Sequence, residues 1–292
     1  MVHGSGLFRS DLIPSSGDSY TLSQLGSGTT GAGITVDTGY MKYVINGGLN
    51  QGAIGSGDVG TGIQFDETGT GTYGSVDVIT PGTEWESFAF YIDNSYYLGG
   101  SNSANYPGTT HYFNTQTTTI WDLSTGNKKH VVCLKGAADK GYVVIQYITV
   151  GKELAIRMRM SYTNTTGSSV TVKAARLADP DQDSGGPDTN NTRGYDTLPV
   201  GRFVSSTGAT NSKIFAVYIP PTGTVTNSTV FSSWPGYDIS TMLSDSDSSN
   251  GDHAIGVAWD GGTVAAGATV NFNCAYLCGS SLAAMKKSMG LV

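Results

Sequence analysis

Apolar and polar residues alternate one for one along much of this chain, and that period of two marks half-buried β-strands rather than helices. It is clearest from Glu153 to Tyr162, where Leu154, Ile156, Met158, Met160 and Tyr162 share one face and Arg157, Arg159 and Ser161 the other. One face is expected to meet the core, the other water or a partner. Val170, Val172 and Ala174 alternate likewise with Thr171 and Lys173. They follow Asn164-Thr165-Thr166-Gly167, a turn composition that predicts a hairpin with Gly167 at positive φ. Comparable runs are Ile34-Val36, Tyr43-Val44-Ile45, Phe88-Phe90-Ile92, Val131 to Leu134, Val143 to Val150, Ile214 to Ile219, Ile255-Val257-Trp259 and Val270-Phe272-Cys274-Tyr276. Gly, Asn, Asp or Pro closes nearly every one.

Helix signals are scarce, because β-branched and aromatic residues fill the runs and Gly interrupts propagation. The exception is Ser280 to Gly290, with a Ser N-cap, good helix formers, Lys286 and Lys287 late and a closing Gly, which predicts a short C-terminal helix. Many short strands without an alternating helix pattern predict an all-β chain, an antiparallel β-sandwich or supersandwich. Residues 1–30, rich in Gly, Ser and Thr around Leu7-Phe8 and Leu12-Ile13, read as an extended arm that docks on a neighbour or stays loose. Residues 31–292 read as the sandwich domain. Its first part, to about Gly74, is expected to hold short strands and long loops, and a sub-boundary falls near 74–82, where Gly, Thr and Pro cluster.

Composition removes several classes of function. Of 292 residues, 41 are Gly and only 13% are charged, and a net charge of −7 with no basic run disfavours nucleic-acid binding. No apolar stretch nears 18 residues and no charged-then-apolar leader opens the chain, so neither a membrane span nor an ordinary secretory signal is expected. Three cysteines, Cys133, Cys274 and Cys278, do not make a disulfide framework for a chain of this length. Along one strand Cys274 and Cys278 would stand about 13 Å apart, beyond disulfide reach without a bend. All three are expected to be small buried apolar residues.

Candidate chemistry is sparse. Asp179, Asp181, Asp183 and Asp188 alternate oxygen ligands in the manner of a Ca²⁺ loop, although the Gly falls one place late and Asn190 stands where a closing Glu belongs. A solvated turn capped by its own Asp side chains is the other reading. Asp245 to Asp252 is a weaker acidic loop of the same kind. The four Glu are Glu67, Glu84, Glu86 and Glu153, and Glu84-Trp85-Glu86 sets two carboxylates on one strand face, suited to flanking a sugar or to an exposed strand. No G-x-S-x-G nucleophile motif and no phosphate loop is present. Tyr96-Tyr97, Tyr106, His111-Tyr112-Phe113, Trp234 and Tyr237 are placed in loop-like surroundings, where aromatics serve sugar stacking and protein interfaces alike. Sequons at Asn164, Asn190 and Asn227 are expected by chance in so Thr-rich a chain.

One family likeness rests on a series of short motifs. These are Trp85-Glu86-Ser87-Phe88 after Pro-Gly-Thr, Tyr162-Thr163-Asn164-Thr165-Thr166-Gly167, Arg176-Leu177-Ala178-Asp179-Pro180-Asp181-Gln182-Asp183, Asp188-Thr189-Asn190-Asn191, and Asp260 to Gly267 leading into a strand. In this order, over roughly residues 80 to 285, the chain resembles β-supersandwich modules of bacterial surface proteins and tailed-bacteriophage virion proteins. Galactose mutarotase shares that shape. Its sugar-site motif is only grazed by His111-Tyr112-Phe113-Asn114, so no catalytic role passes to His111. The resemblance implies a non-enzymatic virion structural protein of tail, baseplate or head surface, without a cofactor beyond the calcium considered above. Its expected partners are copies of itself, neighbouring virion proteins and a host surface glycan. Leu7, Phe8, Leu12 and Ile13 would make arm contacts, and Trp85, His111 and Tyr112 glycan or interface contacts. The alternative is a glycan-binding or glycan-modifying module.

Overall fold

The computed structural model describes residues 29–30, 33–46, 54, 62–74, 77–79, 86–100, 110–112, 119–122, 129–135, 141–151, 153–183, 192–198, 201–220, 228–232, 238–244, 251 and 254–288, with backbone alone for 29–30, 98–100, 110–112, 119–122, 129–135, 192–198, 232 and 288. The strands in chain order are β1 (Thr29–Thr30), β2 (Ile34–Asp37), β3 (Met41–Ile45), β4 (Ile63–Phe65), β5 (Glu86–Ile92), β6 (Ser95–Gly100), β7 (Thr110–Tyr112), β8 (Thr119–Asp122), β9 (Lys129–Lys135), β10 (Tyr142–Val150), β11 (Ala155–Asn164), β12 (Val170–Ala178), β13 (Thr192–Leu198), β14 (Gly201–Thr207), β15 (Ile214–Ile219), β16 (Ser228–Ser232), β17 (Ile255–Val264) and β18 (Thr269–Gly279). Two sheets form the sandwich. One runs β1-β8-β9-β10-β11-β18-β15-β14-β13 and the other β16-β17-β12-β5-β6-β7, while β2-β3-β4 make a third, small sheet. Pairing is antiparallel except between β6 and β7, which run parallel. The all-β sandwich read from the alternation is therefore the fold.

The apolar stripes of the two large sheets face each other. Val144, Ile148, Ile156, Met158, Met160, Phe272, Cys274 and Tyr276 of the nine-stranded sheet join Phe88, Phe90, Val172, Ala174, Val257 and Trp259 of the six-stranded sheet in one buried cluster. Phe272 is the knot, with ring centroids 5.8 Å from Phe90 and 5.6 Å from Trp259. Met41, Tyr43, Ile45, Ile63, Val78 and Ile79, from the small sheet and the segment after it, belong to the same cluster.

The predicted hairpin after Asn164 is not one. β11 pairs with β10 and β18 in one sheet, whereas β12 pairs with β17 and β5 in the other, so Thr165 to Ser169 carry the chain across the sandwich as an arch. Period-two patterning cannot separate the two outcomes, since an apolar face points inward either way. A second arch, β17 to β18, lies beside the first, and Asn164 ties them. Its Nδ2 donates to Ser168 O and Val264 O, its Oδ1 accepts from Thr166 N and Oγ1, its own N–H reaches Ala268 O, and its carbonyl accepts from Gly267 N. Gly167 is not in the left-handed region. Gly267 (φ 73°) and Gly141 (φ 81°) are, and each exchanges a backbone bond with the first arch.

The C-terminal helix spans Leu282–Ser288, with Ser281, not Ser280, as its N-cap, accepting from Ala284 N at 3.1 Å. Ser280 is instead held by Glu67, whose carboxylate accepts its N–H and its hydroxyl. A second helix, Ile239–Ser244, was not foreseen. Tyr96 and Tyr97 lie on strand β6 and not in a loop, because they pair with β5 as Tyr96↔Tyr91 and Tyr97↔Phe90. Among the described residues, no helix is long and apolar enough to cross a membrane.

Candidate functional site

Two of the described charged residues meet between the large sheets. Arg176 on β12 and Glu86 on β5 are both fully buried and face inward, in rows adjoining Phe88. Arg176 Nε donates to Glu86 Oε1 at 2.7 Å and its Nη1 to Gln146 Oε1 of the opposite sheet at 2.6 Å. Tyr276 of β18 donates its hydroxyl to Glu86 Oε1 at 2.6 Å, and Ile54 its amide to Glu86 Oε2 at 2.7 Å. The guanidinium also lies 5.7 Å from the ring centroids of both Phe88 and Tyr276. Five segments therefore converge on one carboxylate and one guanidinium: the two large sheets contribute Glu86, Arg176, Gln146 and Tyr276, and residue 54 joins from the chain after β3.

Burial pushes the Glu86 carboxyl above its ordinary range, against the pull of Arg176, Tyr276 and the Ile54 amide. Burial likewise opposes the charge on Arg176, and Glu86 together with Tyr276 and Cys274 outweighs it, so the guanidinium is held charged. The Tyr276 hydroxyl is raised by burial and by Glu86, which keeps it a donor. Cys274, buried in the same interior, is pushed up to about 12 by burial, and Cys278 is raised too, so both free thiols are inert apolar fillers as expected. Glu86, Arg176, Gln146 and Tyr276 are all fully buried, and together they staple one sheet to the other.

The reverse face of the nine-stranded sheet holds a second polar set. Tyr147, Arg159 and Asn273 stand in one cross-strand row, flanked by Ser161 with Asn271 and by Thr149 with Arg157. The Arg159 guanidinium lies 4.1 Å from the Tyr147 ring centroid, Ser161 donates to Asn271 at 2.6 Å, and Arg157 pairs with Glu153 through Nη1 and, at 2.9 Å, Nη2. The alternation placed Arg157, Arg159 and Ser161 toward water or a partner, yet they are 3%, 3% and 8% exposed. Ring stacking and the Glu153 pair let this face bury its charges. Further along it, the C-terminal helix packs Met285 against Phe203, Ile214, Tyr218 and Leu277.

Of the other residues singled out in the sequence, the structure describes only some. Asp179 and Asp181 are buried, and Asp183 caps the turn after β14 by accepting from Thr210 N at 2.7 Å and Asn211 N at 2.8 Å. Gln182, between them, donates to Ser206 O at 2.7 Å. Among the described residues, no three His, Cys, Asp or Glu stand where they could share a metal ion. Asp188, the loop 245–250, Glu84, Trp85 and the arm residues Leu7, Phe8, Leu12 and Ile13 lie outside the described residues, as do Tyr106, Trp234 and Tyr237. Glu86 is not exposed, because its strand is central in its sheet and its side chain enters the core. His111 and Tyr112 sit on β7, in register with Tyr97 and Leu98. Asn164 of the first sequon is itself fully buried, and its side-chain amide is occupied by the arches. Sequence reasoning missed Arg176 and Gln146 as a pair. The available signal was an Arg and a Gln at inward positions of otherwise apolar strands.

No protein-family model matches the chain, and no curated protein matches it in sequence. Solved structures do. A bacterial glucoamylase complexed with acarbose aligns with 90% of this chain at a TM-score of 0.52 and 12% identity. A galactose mutarotase-related enzyme from Lactobacillus acidophilus aligns with 87% of this chain and 99% of its own length at a TM-score of 0.43 and 9% identity. A polysaccharide lyase aligns with 90% of this chain at a TM-score of 0.38 and 10% identity. The chain spans about a third of the glucoamylase, 34% of its length. At this identity the glucoamylase likeness shows a shared β-sandwich fold and says nothing of activity.

Proposed function

We propose that this chain is a non-enzymatic structural module of a tailed-bacteriophage virion, part of the tail, baseplate or head surface, and that it assembles with copies of itself and with neighbouring virion proteins. The observation that carries the reading is the staple. The buried carboxylate Glu86, its arginine and their two side-chain partners join strands of opposite sheets, a use of charge that fixes geometry instead of reacting. Asp66, Asp77 and Asp183 serve backbone amides in the same spirit. The sequence motifs shared with virion modules supply the setting. Deleting residues 1–28, which leaves β1 in place, is expected to leave the sandwich folded and to abolish incorporation into particles, as read by the mass of the native assembly and by blotting of purified particles. Normal incorporation of the truncated chain would remove the arm from the proposal.

A second reading, a glycan-binding or glycan-modifying module, draws on Trp85, His111 and Tyr112, the aromatic and imidazole groups singled out in the sequence. It predicts saturable sugar binding that falls at least tenfold in a folded His111→Ala or Trp85→Ala protein. A flat calorimetric titration across neutral and acidic glycans rules it out.

A further inference from the structure

The helix Ile239–Ser244 has six residues, too few to hold itself together in water. It lies on the outward face of the six-stranded sheet, where Ile239 and Met242 pack on Ala89, Tyr96, Ala175, Leu177, Phe231 and Ala258. That contact forms a cluster of its own, on the opposite side of the sheet from the main core. Half of these residues beneath it are alanines, so the helix rests on a shallower floor than a core of large side chains would make.

What fixes it in place is one carboxylate. Asp238 accepts from Ser240 N at 2.9 Å and from Thr241 Oγ1 at 3.2 Å, which caps the helix, and also from the Tyr96 hydroxyl of β6 at 3.0 Å, which ties the cap to the sheet. Lys173 Nζ, from β12, donates to Ser240 Oγ at 2.9 Å, and Thr229 Oγ1, from β16, donates to Leu243 O at 3.3 Å. We propose that Ile239–Ser244 is a strap that opens independently of the sandwich, with Asp238 as its latch. Opening breaks the Asp238–Tyr96 bond, lifts Ile239 and Met242, and uncovers an apolar strip of Ala89, Ala175, Leu177, Phe231 and Ala258, while every strand pairing stays in place. The inference rests on this geometry and not on the virion reading.

Hydrogen exchange of the full chain at neutral pH, read by mass spectrometry on peptides covering 239–244 and β11, tests it. In the unaltered protein the Met242, Leu243 and Ser244 amides are expected to exchange by local opening, well ahead of the β11 amides. Asp238→Ala should speed them about tenfold, the effect of losing a cap and a charge-assisted bond together, and leave β11 unchanged. Tyr96→Phe keeps the cap and removes only the tie to the sheet, so a smaller acceleration confined to the strap is expected there, and near-UV circular dichroism checks that both variants stay folded. Helix amides that exchange together with β11 in all three proteins would show that the helix unfolds only with the whole sandwich, and would overturn the proposal.

Discussion

Glu86 and Asp66 are both carboxylates surrounded by donors, and their surroundings drive them in opposite directions. Asp66 lies where β4 leads into a glycine- and threonine-rich loop. Its two oxygens accept from Thr68 N and Oγ1, Thr70 N and Oγ1, and Thr72 N, all within 3.1 Å. The Thr68 hydroxyl is the largest influence, and with its neighbours it outweighs the cost of burial and holds the carboxyl well below the ordinary range. Glu86 has donors too, and a full positive charge beside it, yet burial pushes it upward. Donor count does not decide the matter. Near the surface, neutral amides and hydroxyls suffice to keep a carboxylate ionised, whereas between two sheets even a guanidinium only offsets the lost hydration.

If that contrast is right, removing Arg176 should do more harm than any other single change. Arg176→Met leaves Glu86 buried without its counter-charge, and the expected loss is about 3–5 kcal/mol in urea titrations at neutral pH. The direction of its pH dependence follows. A carboxyl whose folded pKa is raised further above its ordinary 4.5 is tolerated while protonated and penalised once ionised, so the variant should be more stable at pH 4 than at pH 7. Glu86→Leu combined with Arg176→Met should cost less than Arg176→Met alone, because no buried charge remains. Tyr276→Phe, which takes away one donor, should cost about 1 kcal/mol. Equal losses in the single and double variants would mean that the pair acts through packing and not through charge.

The same contrast explains what the sequence disclosed. The inward alternation of β11, Ile156, Met158, Met160 and Tyr162, was legible because each side chain has one sheet face open to it, and every one of them is buried. Whether β11 turns back on itself or crosses to the other sheet was not, because hairpin and arch bury the same face, and the deciding bonds run from Asn164 to Val264, 100 residues away. Asp238 before Ile239, Met242 and Leu243 carried a cap and a helical spacing that short length obscured. The Glu84-Trp85-Glu86 reading failed at Glu86 for a long-range reason as well. Only the register of β5 on β12, Phe88 opposite Arg176 and Glu86 opposite Ala178, brings the carboxylate to its partner 90 residues on.

Asp66 gives the smaller and opposite effect. Its folded pKa lies below the ordinary 3.8, so the stability it contributes is present above that value and drains away as the pH falls below about 4. Asp66→Asn keeps an acceptor but forfeits the charge, and Thr68, Thr70 and Thr72 then face an amide that cannot accept at both ends. The variant should be modestly less stable than the unaltered chain at pH 7, and the gap should close as both are titrated toward pH 2. Thermal melts at half-unit steps through that window measure the gap directly. A gap that stays constant from pH 7 to pH 2 would show that the loop is held by its glycine turns and threonine hydroxyls, and that ionisation of Asp66 is incidental to it.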